Sequence, residues 1–318
     1  MKHLGLGPGP EFDLIRAIIA RLGPDASGIG DDCAIIAIGD THLVASIDCS
    51  VEGVHFRTDW LTPEEIGYRA AAAALSDLAA DGAEPIGVLV SLGLPGARSP
   101  KGLPDGRGEQ GAEIMAGVGA ACRAVGAQVL GGDLVHSDKL IVDVCVLGTA
   151  ERPVRRAGAK AGDGVWVTGT LGGAGLALAG FRTGRELDAK LRDRYARPEP
   201  RVFSGRWLAS HGATSMIDIS DGLAQDAGQL AAASGVAVEI QLERLPCWPA
   251  VAPAAAAASG EEFELLVTLP AEFKDAATFV KATGLPLTRI GACSAGSGVR
   301  TTENGKPATV PPGFQHFA

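Results

Sequence analysis

Apolar residues at positions 12, 14, 15, 18, 19 and 22 recur with a helical period, which predicts a helix over 11–22. Two short apolar runs, 33–38 and 43–48, flank the turn Gly39-Asp40 and read as strands. A second helix opens at Thr62, where Pro63 enters the first turn and Glu65 completes a capping-box spacing. It runs through 70–80 and stops at Gly82. Alanine and leucine occupy most of its sides, so it is expected to be buried, yet it carries an acid, Asp77. A strand over 86–94 follows, then a mobile loop over 96–111, rich in glycine, proline and charge. The remaining elements of this half are a helix over 112–125, a strand over 128–130 ending on Gly131-Gly132-Asp133, and a strand over 140–147.

The pattern then changes. Residues 151–164 carry Arg152, Arg155, Arg156 and Lys160, the most basic stretch of the chain, and the domain boundary is expected there, dividing 1–150 from 151–318. Beyond it, strands over 165–168, 215–219, 236–242 and 263–269 mix with helices. One helix is entered through 172–175 and runs to Gly180; others cover 201–211, 222–233 and 271–283. A low-complexity linker with Pro246, Pro249, Pro253 and the alanines of 254–258 separates two of the strands, and hairpin-like turns mark the tail. The expected class is α/β with α+β mixing, in two domains of similar size.

Composition narrows the partners. With 46% apolar and 20% charged residues, the 318-residue chain has ample material for two cores and no signature of disorder. Its acidic excess, 37 Asp and Glu against 28 Lys and Arg, argues against nucleic acid or an anionic membrane as partner. No apolar run approaches a bilayer span and no basic-then-apolar leader opens the chain, so a cytoplasmic protein is expected. The cysteines at 33, 49, 122, 145, 247 and 293 lie far apart with no Cys-x-x-Cys pair; they read as small core residues in a reducing compartment.

The chemistry concentrates in aspartates. They stand in Gly28-Ile29-Gly30-Asp31-Asp32, Ser46-Ile47-Asp48, Gly131-Gly132-Asp133 and Asp218-Ile219-Ser220-Asp221-Gly222, most beside strands, with Asp77 in its apolar helix. Any one such acid could simply cap a turn. Burying them all without counter-charge is very costly, and no matching set of lysines or arginines lies nearby in sequence. Divalent metal resolves this, and hard oxygen ligands suit Mg²⁺ holding a phosphate substrate. Other phosphate devices are missing: there is no Walker-type loop, no Gly-x-Gly-x-x-Gly after a strand, no kinase His-Arg-Asp loop and no Gly-x-Ser-x-Gly.

These segments, together with Val51-Glu52-Gly53-Val54-His55-Phe56, Leu75-Ser76-Asp77-Leu78-Ala79-Ala80, Gly260-Glu261-Glu262-Phe263-Glu264-Leu265 and Gly313-Phe314-Gln315-His316-Phe317, resemble the thiamine-monophosphate kinase family. They keep the family's order along nearly the whole chain. The resemblance implies an aminoimidazole-ribonucleotide-synthetase-like fold: an N-terminal domain that dimerises through its β-sheet, a C-terminal α/β domain, and an ATP site between them near the dimer interface. It implies Mg²⁺ ligands, several ions in all, at Asp31, Ser46, Ile47 (through its backbone), Asp48, Asp77, Asp133, Asp218 and Asp221. Asp48, Asp77 and Asp133 would be catalytic, Gly132, Asp133, Arg156 and Ser220 would touch ATP, and His55, Glu261 and Phe314 would line the thiamine phosphate pocket. The sequence departs from the family pattern at Ile47, Leu134 and Glu262, and Met115 stands where a nucleotide-stacking tyrosine is usual.

The implied reaction moves the γ-phosphate of ATP to thiamine phosphate, giving thiamine diphosphate and ADP in a homodimer. A phosphate monoester with a second pKa near ~6 is mostly dianionic at pH 7, so no general base is needed and direct in-line attack is expected. The alternatives are another ATP-dependent reaction of the same superfamily, of cyclo-ligase or dehydratase type, and a catalytically silent ATP-binding dimer.

Overall fold

In the computed structural model, residues 4–26, 28–96 and 107–315 are described. Most of the loop expected over 96–111 and the last residues of the C-terminal motif, His316 and Phe317, lie outside them.

The first half runs α1 (Pro10–Leu22), β1 (Ala34–Ile38), β2 (Thr41–Val51), α2 (Pro63–Ala80), β3 (Glu84–Leu94), α3 (Arg107–Ala124), β4 (Gln128–His136) and β5 (Ile141–Ala150). Its five strands form one sheet in the order β1-β2-β5-β3-β4. Thr62 and Glu65 make the expected reciprocal cap of α2. On one face of the sheet, Val44, Val88, Val90, Val142, Val144 and Val146 pack under Ala70, Ala74, Leu75 and Leu78 of α2 and Ile114 and Val118 of α3. The two helices nearly touch through their backbones. A Cβ on Gly67 would stand 1.9 Å from the Ile114 carbonyl oxygen, and one on Gly117 would stand 1.9 Å from that of Glu64, so only glycine permits this approach.

Alternate residues of the same strands point away from the helices. There Ile36, Ile47, Leu89 and Val135 are exposed, and β4 is exposed along its whole length at the open edge. Gly131-Gly132-Asp133 does not end the strand as expected. It lies inside β4, because residues 128–136 pair continuously, in parallel and with one bulge, with β3.

The second half continues with β6 (Gly164–Thr168), α4 (Gly173–Thr183), α5 (Ala189–Ala196), α6 (Val202–Ser210), β7 (Ser215–Asp218), α7 (Leu223–Ser234) and β8 (Ala237–Gln241). It closes with α8 (Pro253–Ala257), β9 (Leu265–Leu269), α9 (Ala276–Thr283), β10 (Leu287–Ser294), β11 (Gly298–Glu303) and β12 (Lys306–Pro307). The seven-stranded sheet has the order β12-β11-β8-β10-β6-β9-β7. β9 is buried at every position, with Leu266 facing the core that contains α7 and Leu265 and Val267 facing the core that contains Phe279 of α9.

Three local expectations are revised. Part of the proline- and alanine-rich linker folds as α8, whose Ala256 and Ala257 are buried. α5 was not anticipated; Asp188 caps it and it buries Leu191 and Tyr195. The helix expected over 271–283 begins only at Ala276, behind Asp275. Cys33, Cys122 and Cys293 are buried, Cys49 is exposed, and all six cysteines are free. Among the described residues no helix is long and apolar enough to cross a membrane.

Helix α2 is shared by both halves. It lies against β2 and β5 of the first sheet and against α6 and β7 of the second half, which places Ser76 and Asp77 at the junction.

Candidate active site

A cavity of about 460 Å³ opens at that junction. Asp31, Asp32, Ser46, Ile47, Asp48, Asp77, Arg156, Asp218, Ser220, Asp221, His55, Glu261 and Phe314 all line it, so residues from both halves converge on one space.

The acids are drawn together by their elements. Ser46 on β2 donates to Asp77 at 2.6 Å, and Ser76, the neighbour of Asp77 on α2, donates to Asp218 at 2.8 Å at the end of β7. Carboxylate oxygens of Asp32, Asp77 and Asp218 lie within 4.8 Å of one another. Asp32 therefore joins the cluster, although the sequence reading had singled out its neighbour Asp31. No pattern separates two consecutive aspartates in a glycine-rich turn; the turn's tertiary position decides which faces which.

Loss of water pushes the carboxyls up. The Asp77 carboxyl rises well above the usual carboxylate range, through burial first and then through the charges of Asp218, Asp32 and Asp48. Asp218 is pushed up to about 7 by burial and by Asp32, against the opposing effects of Ser76 and Arg156. Arg156 is the local cation: its guanidinium donates to Asp32 at 2.6 Å and its backbone N–H to Asp31 at 2.9 Å. Burial disfavours its charge, but Asp32 outweighs that and keeps it protonated.

At the other end stand the residues expected to hold thiamine phosphate. The Nδ1 of His55 accepts the Val51 N–H at 3.0 Å, so its Nε2 carries the proton when the ring is neutral. Glu261 sits at φ 61° and pairs with Arg69. The Phe314 N–H bonds the Asp221 carbonyl at 3.0 Å, and Gln225 bridges the Asp221 carboxylate and the Phe314 carbonyl, pinning the C-terminal segment beside α7. A second cavity of about 1020 Å³ continues from His55, Glu261 and Phe314 toward Trp60, Phe181 and Tyr195. Glu262, by contrast, is fully engaged away from the cavities, accepting the N–H groups of Gly172 and Ala174 and binding Arg194.

Two further points emerge only from the structure. Arg69, buried in α2, lies 3.8 Å over the Tyr195 ring and orients Glu261; the sequence reading passed over it, although a charge in an alanine-rich helix was the signal that marked Asp77. Gly132 and Asp133 do not line the cavity. The pairing places Asp48 in one row with Val144, Val90 and Gly132, so Asp133 stands in the next row and its side chain leaves the opposite face. β5 and β3 lie between β2 and β4, three strand spacings or roughly 14 Å in all.

The AIR synthase related protein N-terminal domain matches residues 30–150, and the corresponding C-terminal domain matches residues 160–303. Thiamine-monophosphate kinase of Methanospirillum hungatei is 38% identical over 294 residues, covering 89% of this chain and 92% of that one. The enzyme of the same name from Salmonella typhimurium is 35% identical, with 96% of each chain covered. A solved structure of AaThiL complexed with AMPPCP and TMP superposes with a TM-score of 0.84 at 33% identity, over 97% of each chain. The chain belongs to the thiamine-monophosphate kinase family of AIR synthase related proteins.

Proposed function

We propose that this member of the family moves the γ-phosphate of ATP directly onto thiamine phosphate in the cavity at the junction of its two halves. The observation that carries this reading is the run of groups in one space: an acid cluster of Asp32, Asp48, Asp77 and Asp218 at one end, and His55, Glu261 and Phe314 at the other.

The acid end fits Mg²⁺. Asp32 buries an oxygen with no hydrogen-bond partner, and its carboxylate lies within 4.8 Å of those of Asp77 and Asp218. The Asp77 and Asp218 carboxyls are raised by burial first and then by neighbouring carboxylates, so this donor set fits a divalent cation. Asp32, Asp48, Asp77 and Asp218 would hold the ions, with Asp31, Asp221 and the backbone at Ile47 at their margin. When bound, Mg²⁺ neutralises charge building on the transferring phosphoryl oxygens. The protein's own groups do the rest. Ser46 and Ser76 hold Asp77 and Asp218 in place, Arg156 supplies fixed positive charge beside the polyphosphate, and Ser220 offers a polar contact to it. Glu261, oriented by Arg69, answers the cationic thiazolium, while His55 and Phe314 border the flat rings. The acceptor arrives ionised and can attack directly, so Ser46 and Ser76 are assigned to holding Asp77 and Asp218 and not to carrying the phosphoryl group.

Asp133 and Gly132 fit this scheme across a homodimer. The open edge of β4 and the apolar outer face of the first sheet are what a second copy would cover, and Asp133 lies on that side. Each protomer then supplies Asp133 to the nucleotide of the other. Mixing Asp48→Asn with Asp133→Asn protomers should restore roughly a quarter of the sites, since half of the symmetric dimers re-form as mixed pairs with one intact site. Activity no greater than that of the two variants alone removes the shared site.

The reaction itself is tested by incubating the protein with MgATP and thiamine phosphate and separating the products by chromatography. Thiamine diphosphate with ADP, and inversion at a chirally labelled γ-phosphorus, are expected. ATP binding without product would leave a silent nucleotide-binding dimer instead, and net retention would require a phosphoenzyme.

A further inference from the structure

Asp81 closes helix α2 and is fully buried, with 0% of its surface exposed. Among the described residues neither of its carboxylate oxygens has a nitrogen or hydroxyl donor and no ion pair reaches it, so the Cys33 thiol is the one group that bonds it. It does not line the cavity, and the transfer reaction makes no use of it. The neighbouring Cys33 thiol is a weak donor with no charge to offer.

Asp81 faces two more buried acids. The side chains of Asp31 and Asp32 are each 1% exposed, and each keeps one oxygen, Oδ2, without a hydrogen-bond partner. Oxygens of Asp31, Asp32 and Asp81 lie within 4.8 Å of one another. The two cations nearby are already engaged: Arg156 on Asp32 at 2.6 Å, and Arg155 near Asp31 at 3.8 Å. The third carboxylate has nothing to answer it, and an unanswered buried carboxylate is too costly to keep without purpose.

We infer that Asp31, Asp32 and Asp81 bind a divalent cation of their own, buried behind the catalytic cavity and linked to it through Asp32. All three ligands are hard carboxylate oxygens, the donor type that Mg²⁺ and Mn²⁺ take. Asp32 belongs both to this group and to the group formed with Asp77 and Asp218. A cation here ties the 28–33 turn to the end of α2 and fixes the side of Asp32 that faces away from substrate. Its role is to position Asp32, and it holds whichever phosphate acceptor the cavity takes.

The rival account is that Asp81 stays protonated and needs no ion. The two differ in metal stoichiometry. Full-length protein stripped with a chelator is titrated with Mn²⁺ alone, without nucleotide, and bound metal is counted by electron paramagnetic resonance while melting is followed in parallel. Asp81→Asn should bind about one Mn²⁺ fewer than the parent. It should also melt higher than the parent in chelator, and gain less when Mn²⁺ is added. Asp77→Asn should lose metal at the cavity yet keep the melting shift that depends on Asp81. Equal stoichiometry and equal Mn²⁺-dependent melting shifts in the parent and Asp81→Asn would overturn the site. If the variant fails to fold, anomalous diffraction from Mn²⁺-soaked crystals of the parent decides: a peak among the three carboxylates supports it, and manganese at the cavity alone removes it. Thiamine diphosphate formation is read separately, so failure of the reaction and failure of this site are distinguishable.

Discussion

Two regions of the molecule bury carboxylates, and they do so in opposite ways. In the second half, Glu264 accepts two hydrogen bonds from Arg201, at 2.6 and 2.9 Å, and one from Thr168 at 2.7 Å. Burial alone would raise its carboxyl, but Arg201 and Arg194 more than compensate and hold it below the usual range. At the junction, Asp77 and Asp218 have serines and each other, and their carboxyls rise instead. A buried acid with its cation in the chain is part of the scaffold. A buried acid without one is a candidate ligand for the divalent cation proposed above, and that contrast separates scaffold from site without reference to any relative.

The sharpest break is at Glu264. Glu264→Gln leaves Arg201 and Arg194 short of charge, and removing one partner of a buried pair costs about 3–5 kcal/mol. Denaturant unfolding checks this; a loss under ~1 kcal/mol, the range of a surface pair, would mean the network is not what holds α6 to β9.

Asp48→Asn and Asp77→Asn should do the reverse. Turnover falls about 10²- to 10³-fold, as when one fixed electrostatic contact to a transition state is lost, while the metal-free fold melts no lower than the parent. Steady-state rates and melting curves taken together test this. A rate within a few-fold of the parent in both variants would move these acids out of the site.

The pH dependence of the metal-free protein sharpens the contrast further. The folded Asp218 carboxyl titrates at about 7, above the value near ~3.9 of an unfolded aspartate. Between those values the folded state holds the extra proton, so stability falls as pH rises through the window and levels off above it. Melting in chelator should therefore drop from pH 5 to 8, and Mg²⁺ should flatten the profile by answering the charge. A chelated profile already flat would place the cation inside the chain.

The smallest effect is at the substrate end. Glu261→Gln and Phe314→Ala should raise KM for thiamine phosphate roughly tenfold each while leaving KM for ATP nearly unchanged, the pattern of contacts felt equally in ground and transition states. A shift in the ATP constant instead would relocate the thiamine pocket.

Much of the scaffold was legible because its signals are local. The cap of α2 at Thr62 and Glu65 and its apolar run predict a buried helix, and an acid inside that run predicts a purpose for Asp77. The same logic applied to Arg69 would have found it. α5 was missed because its polar sequence carries little helical pattern of its own; it is held by the Asp188 cap and by Leu191 and Tyr195 packing on the first core. The strand through Gly131-Gly132-Asp133 was cut short because glycines signal a turn, whereas the pairing of β4 with β3 overrides that signal and puts Gly132 where a Cβ would lie 1.8 Å from the Val90 carbonyl oxygen.

By itself the sequence determined that this chain gathers aspartates beside buried strands, that two mixed α and β halves carry them, and that their motifs follow one family's order. Those are properties of residue type and short-range spacing, and no folding is needed to read them. Only the tertiary structure decided which carboxylates share a space. It brought Asp32 rather than Asp31 alone to Asp77 and Asp218, set Asp81 behind them, and sent Asp133 to the far face of the sheet. Distance along the chain says nothing about such meetings; strand order, the alternation of side chains across a sheet and the crossing of α2 between the two halves do.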